Sequence, residues 1–96
     1  MSDAEVFVSI ATVWEIAIKS RNGKLRTIDD VPGGIASSGF TILPIQTAHT
    51  EIVRQLPLLK DHRDPFDRML VAQAMSERLT VMTVDAAFAE YDIEIV

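Results

Sequence analysis

Residues 62–70 read HRDPFDRML, a charged segment that passes directly into a helical pattern. Asp64 is a good helix N-cap, and Pro65 suits the first helical position because its missing N–H is not needed there. Asp67 shares a helical face with three apolar residues, Leu70, Val71 and Ala74. A carboxylate on a core-facing side is costly unless a cation meets it. The segment therefore predicts capping by Asp64 and a chemical role for Asp67.

Strand and helix patterns alternate along the whole chain. Apolar, β-branched runs predict strands at residues 6–8, 40–45, 79–84 and 93–96. Caps and helical spacing predict helices at residues 10–21, 47–56, 65–78 and 86–90, and a weaker pattern within 27–38 contains a proline and two glycines. The alternation predicts an α/β fold with a mainly parallel sheet, in which the run at 79–84 is buried on both faces. With 96 residues and no linker or repeat, residues 1–96 are expected to form one domain.

The composition excludes several classes of protein. Without cysteine the chain has no disulfides, zinc thiolate sites or cysteine nucleophile. Its apolar runs are too short to cross a bilayer and its first residues lack a secretory signal, which favours a soluble protein of the cytoplasm. A net charge of −5 argues against a broad basic surface for nucleic acid. Four basic residues nevertheless cluster early in the chain: Lys19, Arg21, Lys24 and Arg26. They fit a solvated helix end, or a surface that guides a polyanion.

Two further acids are expected near the carboxyl ends of strands, where open parallel sheets form their sites. The spacing of Glu15 from Lys19 favours, on its own, an ion pair one helical turn apart. Asp85 follows the run at 79–84, where a lone Asp is most often an N-cap. Carboxylates gathered in one crevice with Asp67 would repel each other unless a divalent cation lay between them. Oxygen-only ligands favour Mg²⁺ or Mn²⁺, which activate water in phosphodiester hydrolysis.

The other polar residues have weaker claims to chemistry. Ser9 and Thr12 have no histidine nearby in sequence, so a capping or supporting role is expected rather than that of a nucleophile. His49 and His62 share no metal-ligand spacing and are expected at the surface. The acids therefore remain the main candidates.

Several segments resemble PIN-domain proteins, and more closely the VapC-like toxins of bacterial toxin–antitoxin systems. The resembling segments are residues 7–9, 12–19, 22–25, 63–74 and 79–85, so that the resemblance extends over essentially the whole chain. It implies that the acids holding catalytic Mg²⁺ (or Mn²⁺) are Glu15, Asp67 and Asp85. The residues expected to support them are Ser9, Thr12, Asp64 and Thr83, and those expected to contact RNA are Lys19 and Arg68. The implied activity is that of an endoribonuclease, held inactive by an antitoxin that inserts a peptide into the acidic crevice.

The resemblance begins only at about residue 5. Members of that family start with a strand that ends in an Asp, followed by a helix, and neither is found here. The expected fold is therefore a PIN-like three-layer fold with a mainly parallel sheet that lacks the family's first, central strand. Weaker metal binding is expected, as is a gap in the sheet closed by direct strand pairing, by strand exchange in a homo-oligomer or by a partner chain.

Three functions are compatible with these patterns. The first is a magnesium-dependent ribonuclease, the toxin of a toxin–antitoxin pair. The second is a catalytically impaired remnant that binds the antitoxin or associates with itself. The third is a structural α/β fragment whose acids serve only as helix caps, against which the expected burial of Asp67 argues.

Overall fold

The computed structural model of the protein describes residues 4–59, 64–83 and 85–96. The chain divides into two compact units, Met1–Pro44 and Ile45–Val96, which are taken in turn below. The expectation of a single domain over residues 1–96 stays a prediction. His62 and Val84, which belong to the predicted motif and strand, lie outside the described residues. Within the described part of the chain, no helix is both long enough and apolar enough to cross a membrane.

Two strands and two helices form the first unit: β1 (Phe7–Ser9), α1 (Ile10–Arg21), α2 (Val31–Ser37) and β2 (Thr41–Leu43). β1 and β2 pair in parallel, with Phe7 opposite Thr41 and Ser9 opposite Leu43. The parallel pair, together with the alternation of strands and helices, confirms the predicted α/β class.

Local signals explain where the helices of the first unit begin and end. Ser9 caps α1, because its Oγ accepts a hydrogen bond from the Ala11 N–H at 3.0 Å. Gly23 ends α1 with a φ of +74°, which favours glycine. Asp30 caps α2 by accepting the Gly33 N–H at 3.0 Å. The proline of α2 lies in its first turn, where its missing N–H is tolerated, so the weak pattern within 27–38 does form a short helix.

Helices dominate the second unit: α3 (Thr47–Gln55), α4 (Pro65–Glu77) and a 3-10 helix (Ala86–Glu90). α3 packs against α4. The core of this unit consists of the buried residues Leu56, Val71, Phe88 and Tyr91. The predicted caps are confirmed, since Asp64 precedes α4 and Asp85 precedes the 3-10 helix.

The predicted strand at 79–84 is not formed by the residues that the structure describes in that run. Val81 makes one isolated parallel bridge, to Ile95. Met82 is 82% exposed, although a strand buried on both faces was expected here. A parallel strand that is buried on both faces belongs to a sheet whose two faces are covered by other elements. In residues 79–83, the bridge to Ile95 takes the place of pairing within such a sheet.

His49 is fully buried, so the prediction of a surface histidine is wrong. Its Nδ1 accepts the Gln46 N–H at 3.0 Å and so helps to cap α3. Its Nε2 lies 2.9 Å from Oε1 of Glu77, in the last turn of α4. With Nδ1 acting as an acceptor, the proton belongs on Nε2, which donates to the Glu77 carboxylate. The contact joins the start of α3 to the end of α4, and no local sequence pattern predicts it.

Replacing His49 with Ala is expected to lower the free energy of unfolding by about 2 kcal/mol, because two hydrogen bonds are lost and a cavity is left between packed helices. Thr50→Ala provides the control on the same turn, because Thr50 is exposed and its Oγ donates to the Thr47 carbonyl. Urea unfolding followed by circular dichroism compares the two variants. Equal stability of both would show that the His49 contact does not hold α3 to α4.

Candidate functional site

The first turn of α4 carries two acids with different environments. Oδ1 of Asp64 accepts the N–H groups of Phe66 at 2.8 Å and Asp67 at 3.1 Å, as a capping carboxylate does. Asp64 itself is exposed, whereas Asp67 is half-buried. The face that Asp67 shares becomes fully buried only further along the helix, at Val71 and Ala74. Asp67 thus lies in the first turn of α4, before the part of this face that is fully buried.

Asp85 is exposed at the start of the 3-10 helix. One carboxylate oxygen, Oδ1, accepts the Ala87 N–H at 2.9 Å. The Asp85 N–H donates in turn to Oγ1 of Thr83 at 3.0 Å. Thr83 therefore helps to fix the backbone from which the Asp85 carboxylate projects. Capping engages one of the two carboxylate oxygens of Asp85, so it is compatible with a further role.

Glu15 lies on α1 with about a quarter of its side chain exposed (26%), and its Oε2 is 3.1 Å from Nζ of Lys19. The predicted ion pair is therefore present. Ser9, one of the predicted supporting residues, is buried as the cap of α1, and Thr12 is half-buried on the same helix. A phosphate contact by Lys19 would compete with its carboxylate partner, which is one turn away.

Arg68, predicted to contact RNA, is only 7% exposed. Its Nη1 donates to the Pro57 carbonyl at 2.8 Å, and its Nη2 donates to the carbonyls of Val53 and Leu56, both at 3.2 Å. A cation is well placed there, because Val53 lies in the last turn of α3 and Leu56 is its C-cap, at the negative end of the helix dipole. The position argues against an RNA contact, since the guanidinium would have to leave three acceptors. Arg68 instead joins the start of α4 to the end of α3.

The three candidate acids belong to both units, with Glu15 in the first and Asp67 and Asp85 in the second. The donors are all carboxylates, which suits a hard divalent cation such as Mg²⁺ or Mn²⁺. Among the described residues of either unit, no three His, Cys, Asp or Glu side chains form a group able to hold a metal ion. The donor chemistry therefore fits a divalent cation, but the described part of neither unit contains a complete centre by itself.

The comparison with protein families gives a match that extends over most of the sequence. The model of the PIN domain matches residues 1–94. A comparison with curated proteins found no match. PIN domains are generally nucleases and typically use divalent metals, in agreement with the carboxylate character of the candidate residues. Because the match covers almost the entire chain, this protein belongs to the PIN-domain family.

Proposed function

We propose that this protein is a metal-dependent endoribonuclease that hydrolyses RNA phosphodiesters, and that it is the VapC-like toxin of a toxin–antitoxin pair. The observation that carries the proposal is the PIN-domain match over residues 1–94, since PIN domains are generally nucleases. The choice of RNA and of an antitoxin as partner rests on the resemblance of the segments around Glu15, Asp67 and Asp85 to VapC-like toxins. The expected compartment is the cytoplasm, where both partners occur.

In this proposal Glu15, Asp67 and Asp85 together hold Mg²⁺ or Mn²⁺. The bound cation supplies charge stabilisation at the scissile phosphate and favours ionisation of the attacking water. Thr83 supports Asp85 through the hydrogen bond to its N–H, and Asp64 supports Asp67 by fixing the first turn of α4. Ser9 supports Glu15 by capping α1. Thr12, half-buried on the same helix, supports Glu15 from three residues before it.

Cleavage of a labelled RNA by the purified protein is expected in Mg²⁺ or Mn²⁺, because ionised carboxylates alone cannot neutralise a phosphodiester. EDTA is expected to stop the cleavage, and excess Mg²⁺ to restore it. DNA of the same sequence serves as the substrate control. Cleavage that continues unchanged in EDTA would contradict the proposed activity. So would a protein that cleaves no RNA at millimolar Mg²⁺ or Mn²⁺.

A second candidate function is a non-catalytic module that binds an antitoxin or associates with itself, through strand exchange in a homo-oligomer or otherwise. The observation that favours it is the lack, among the described residues of either unit, of a three-acid group able to hold a metal. Metal binding separates the two candidates, because only the nuclease requires it. Sedimentation of the protein alone and with a candidate antitoxin would then identify the partner of the module.

A further inference from the structure

We propose that the exposed face of α1 and the turn after it bind single-stranded RNA, with the Trp14 indole stacking on a base and nearby cations contacting phosphates. The inference rests on the proposed function in taking RNA as the substrate class. It adds a binding surface within the first unit that consists of residues other than the candidate acids.

One face of α1 is exposed along its whole length. Its members are separated by four, three, one and three residues, which places them on one side of a helix: Ile10, Trp14, Ala17, Ile18 and Arg21. All five are exposed, and Trp14 is 60% exposed. An indole of this size normally lies within a core or an interface, because it carries a large apolar surface. Its exposure marks this face as a surface for a ligand with an aromatic or apolar part.

The positive charges at the end of α1 determine which ligand fits. Arg21 lies on the same face as Trp14, about two helical turns further on. Lys24 and Arg26 follow in the turn, and all three cations are exposed. In the described part of the chain no carboxylate is paired with any of the three, whereas Lys19 is paired with Glu15.

The turn after α1 is held in place by backbone hydrogen bonds. The N–H groups of Lys24 and Leu25 both donate to the Lys19 carbonyl, at 2.9 and 3.2 Å. Gly23 provides the left-handed conformation that this reversal needs. The helix dipole accounts for a cation at Arg21, but Lys24 and Arg26 lie beyond the last turn of the helix. Cations that follow an exposed aromatic ring along one helix face and into the next turn are an arrangement by which proteins bind single-stranded nucleic acid.

An open cleft adjoins this face at Ala17. Its volume is ≈ 250 Å³, and it lies between the other side of α1 and residues 27–32. From α1 it is lined by Val13, Ile16, Ala17 and Ser20. Apart from Ser20, Thr27 and Asp29 the lining is apolar, which suits the flat face of a second base. A partner protein helix would cover Ile10 and Ile18 but would leave the three cations unmatched unless it were acidic, so the charge favours a polyanion.

The chain contains a single tryptophan, so its fluorescence reports on this face alone. Addition of a short unstructured RNA in EDTA, where no cleavage is expected, should quench the emission. The logarithm of the affinity should fall with the logarithm of salt concentration by about 0.7 per phosphate contacted. Trp14→Leu, followed by fluorescence anisotropy of labelled RNA, should bind about 10-fold more weakly because base stacking is lost.

A charge-matched pair of double variants provides the control. Arg21→Gln with Lys24→Gln should weaken RNA binding about 10-fold or more and lower the salt slope by about 1.4, the value for two phosphate contacts. Arg54→Gln with Arg78→Gln removes the same charge from exposed positions in the second unit and should bind RNA like the wild type. Circular dichroism confirms that each variant is folded.

The outcomes separate this inference from the proposed function. If RNA quenches the Trp14 emission but the protein cleaves no RNA, the proposed binding surface is supported and the proposed nuclease activity is contradicted. Cleavage without any change in Trp14 emission contradicts the surface alone. Equal RNA affinity of the two double variants, or a Trp14→Leu change that alters self-association and leaves RNA affinity intact, overturns the inference.

Discussion

Asp67→Asn is expected to lower metal-dependent RNA cleavage by about 100-fold or more while leaving the fold intact, since even residues that only support a metal ligand are worth about 10–100-fold. The amide keeps the size of the side chain but loses the charge that a divalent cation requires. The helix start should survive, because Asp64 caps the backbone N–H of Asp67 and not its carboxylate. Initial cleavage rates and thermal unfolding measure the two effects separately.

Asp64→Asn is the matched control for this variant. Asn is as good an N-cap as Asp, and its amide oxygen can accept the same two N–H groups. Cleavage by Asp64→Asn should therefore stay within a few-fold of the wild type. If Asp67→Asn cleaves RNA as fast as the wild type, or if both variants lose cleavage activity equally, then Asp67 is not a metal-binding acid distinct from the capping Asp64.

Arg68→Met is expected to lower the free energy of unfolding by about 3 kcal/mol, because the carbonyls of Val53, Leu56 and Pro57 lose a charged donor and are left partly buried. A domain of this size is stable by only about 5–15 kcal/mol, so the loss is a large share of the total. The midpoint of thermal unfolding should fall by about 10 °C or more. Met retains much of the packing volume, so the effect reports on the lost hydrogen bonds.

Arg54→Met provides the comparison for Arg68. Arg54 lies on the neighbouring helix and pairs with Glu51 at 3.0 Å, but its side chain is 69% exposed. An exposed pair of this kind contributes less than about 1 kcal/mol. Arg68→Lys should recover only part of the stability, because one ammonium group does not replace the planar guanidinium. Similar losses in the Arg54 and Arg68 variants would show that the three carbonyls do not depend on Arg68.

Local chemistry made much of the secondary structure predictable. Ser9, Asp64 and Asp85 each hydrogen-bond an N–H within three residues of themselves, so their capping roles can be seen in the sequence alone. Pro65 and Gly23 marked a helix start and a helix end for equally local reasons. The boundaries of α1 agree with the prediction for this reason.

Features that depend on distant residues escaped prediction. The burial of His49 depends on Glu77, 28 residues away in the sequence, whose carboxylate accepts a hydrogen bond from Nε2. Arg68 reaches carbonyls 11 to 15 residues away, which no pattern around the HRDPFDRML segment encodes. The run at 79–84 has the composition of a buried strand, yet Val81 makes only a bridge, since composition does not supply the neighbouring strands that a sheet requires.

For the candidate site, too, the local features could be predicted from the sequence and the long-range arrangement could not. The chemical type of Glu15, Asp67 and Asp85 and the caps that begin their helices follow from the sequence. Their convergence on one cation is a property of the whole fold, and it remains a proposal. Glu15 has an ion-pair partner and Asp85 caps a helix, so capping and ion pairing alone do not reveal which acids bind metal.

Titration of the protein with Mn²⁺ by isothermal calorimetry tests the assignment of the three acids most directly, because it requires no knowledge of the RNA target. The wild type is expected to bind Mn²⁺ at millimolar concentration or below. Glu15→Gln, Asp67→Asn and Asp85→Asn should each weaken binding about 10-fold or more, whereas Asp64→Asn should bind like the wild type. A wild type that binds no Mn²⁺, or acidic variants that bind it as tightly as the wild type, would contradict the proposed metal site.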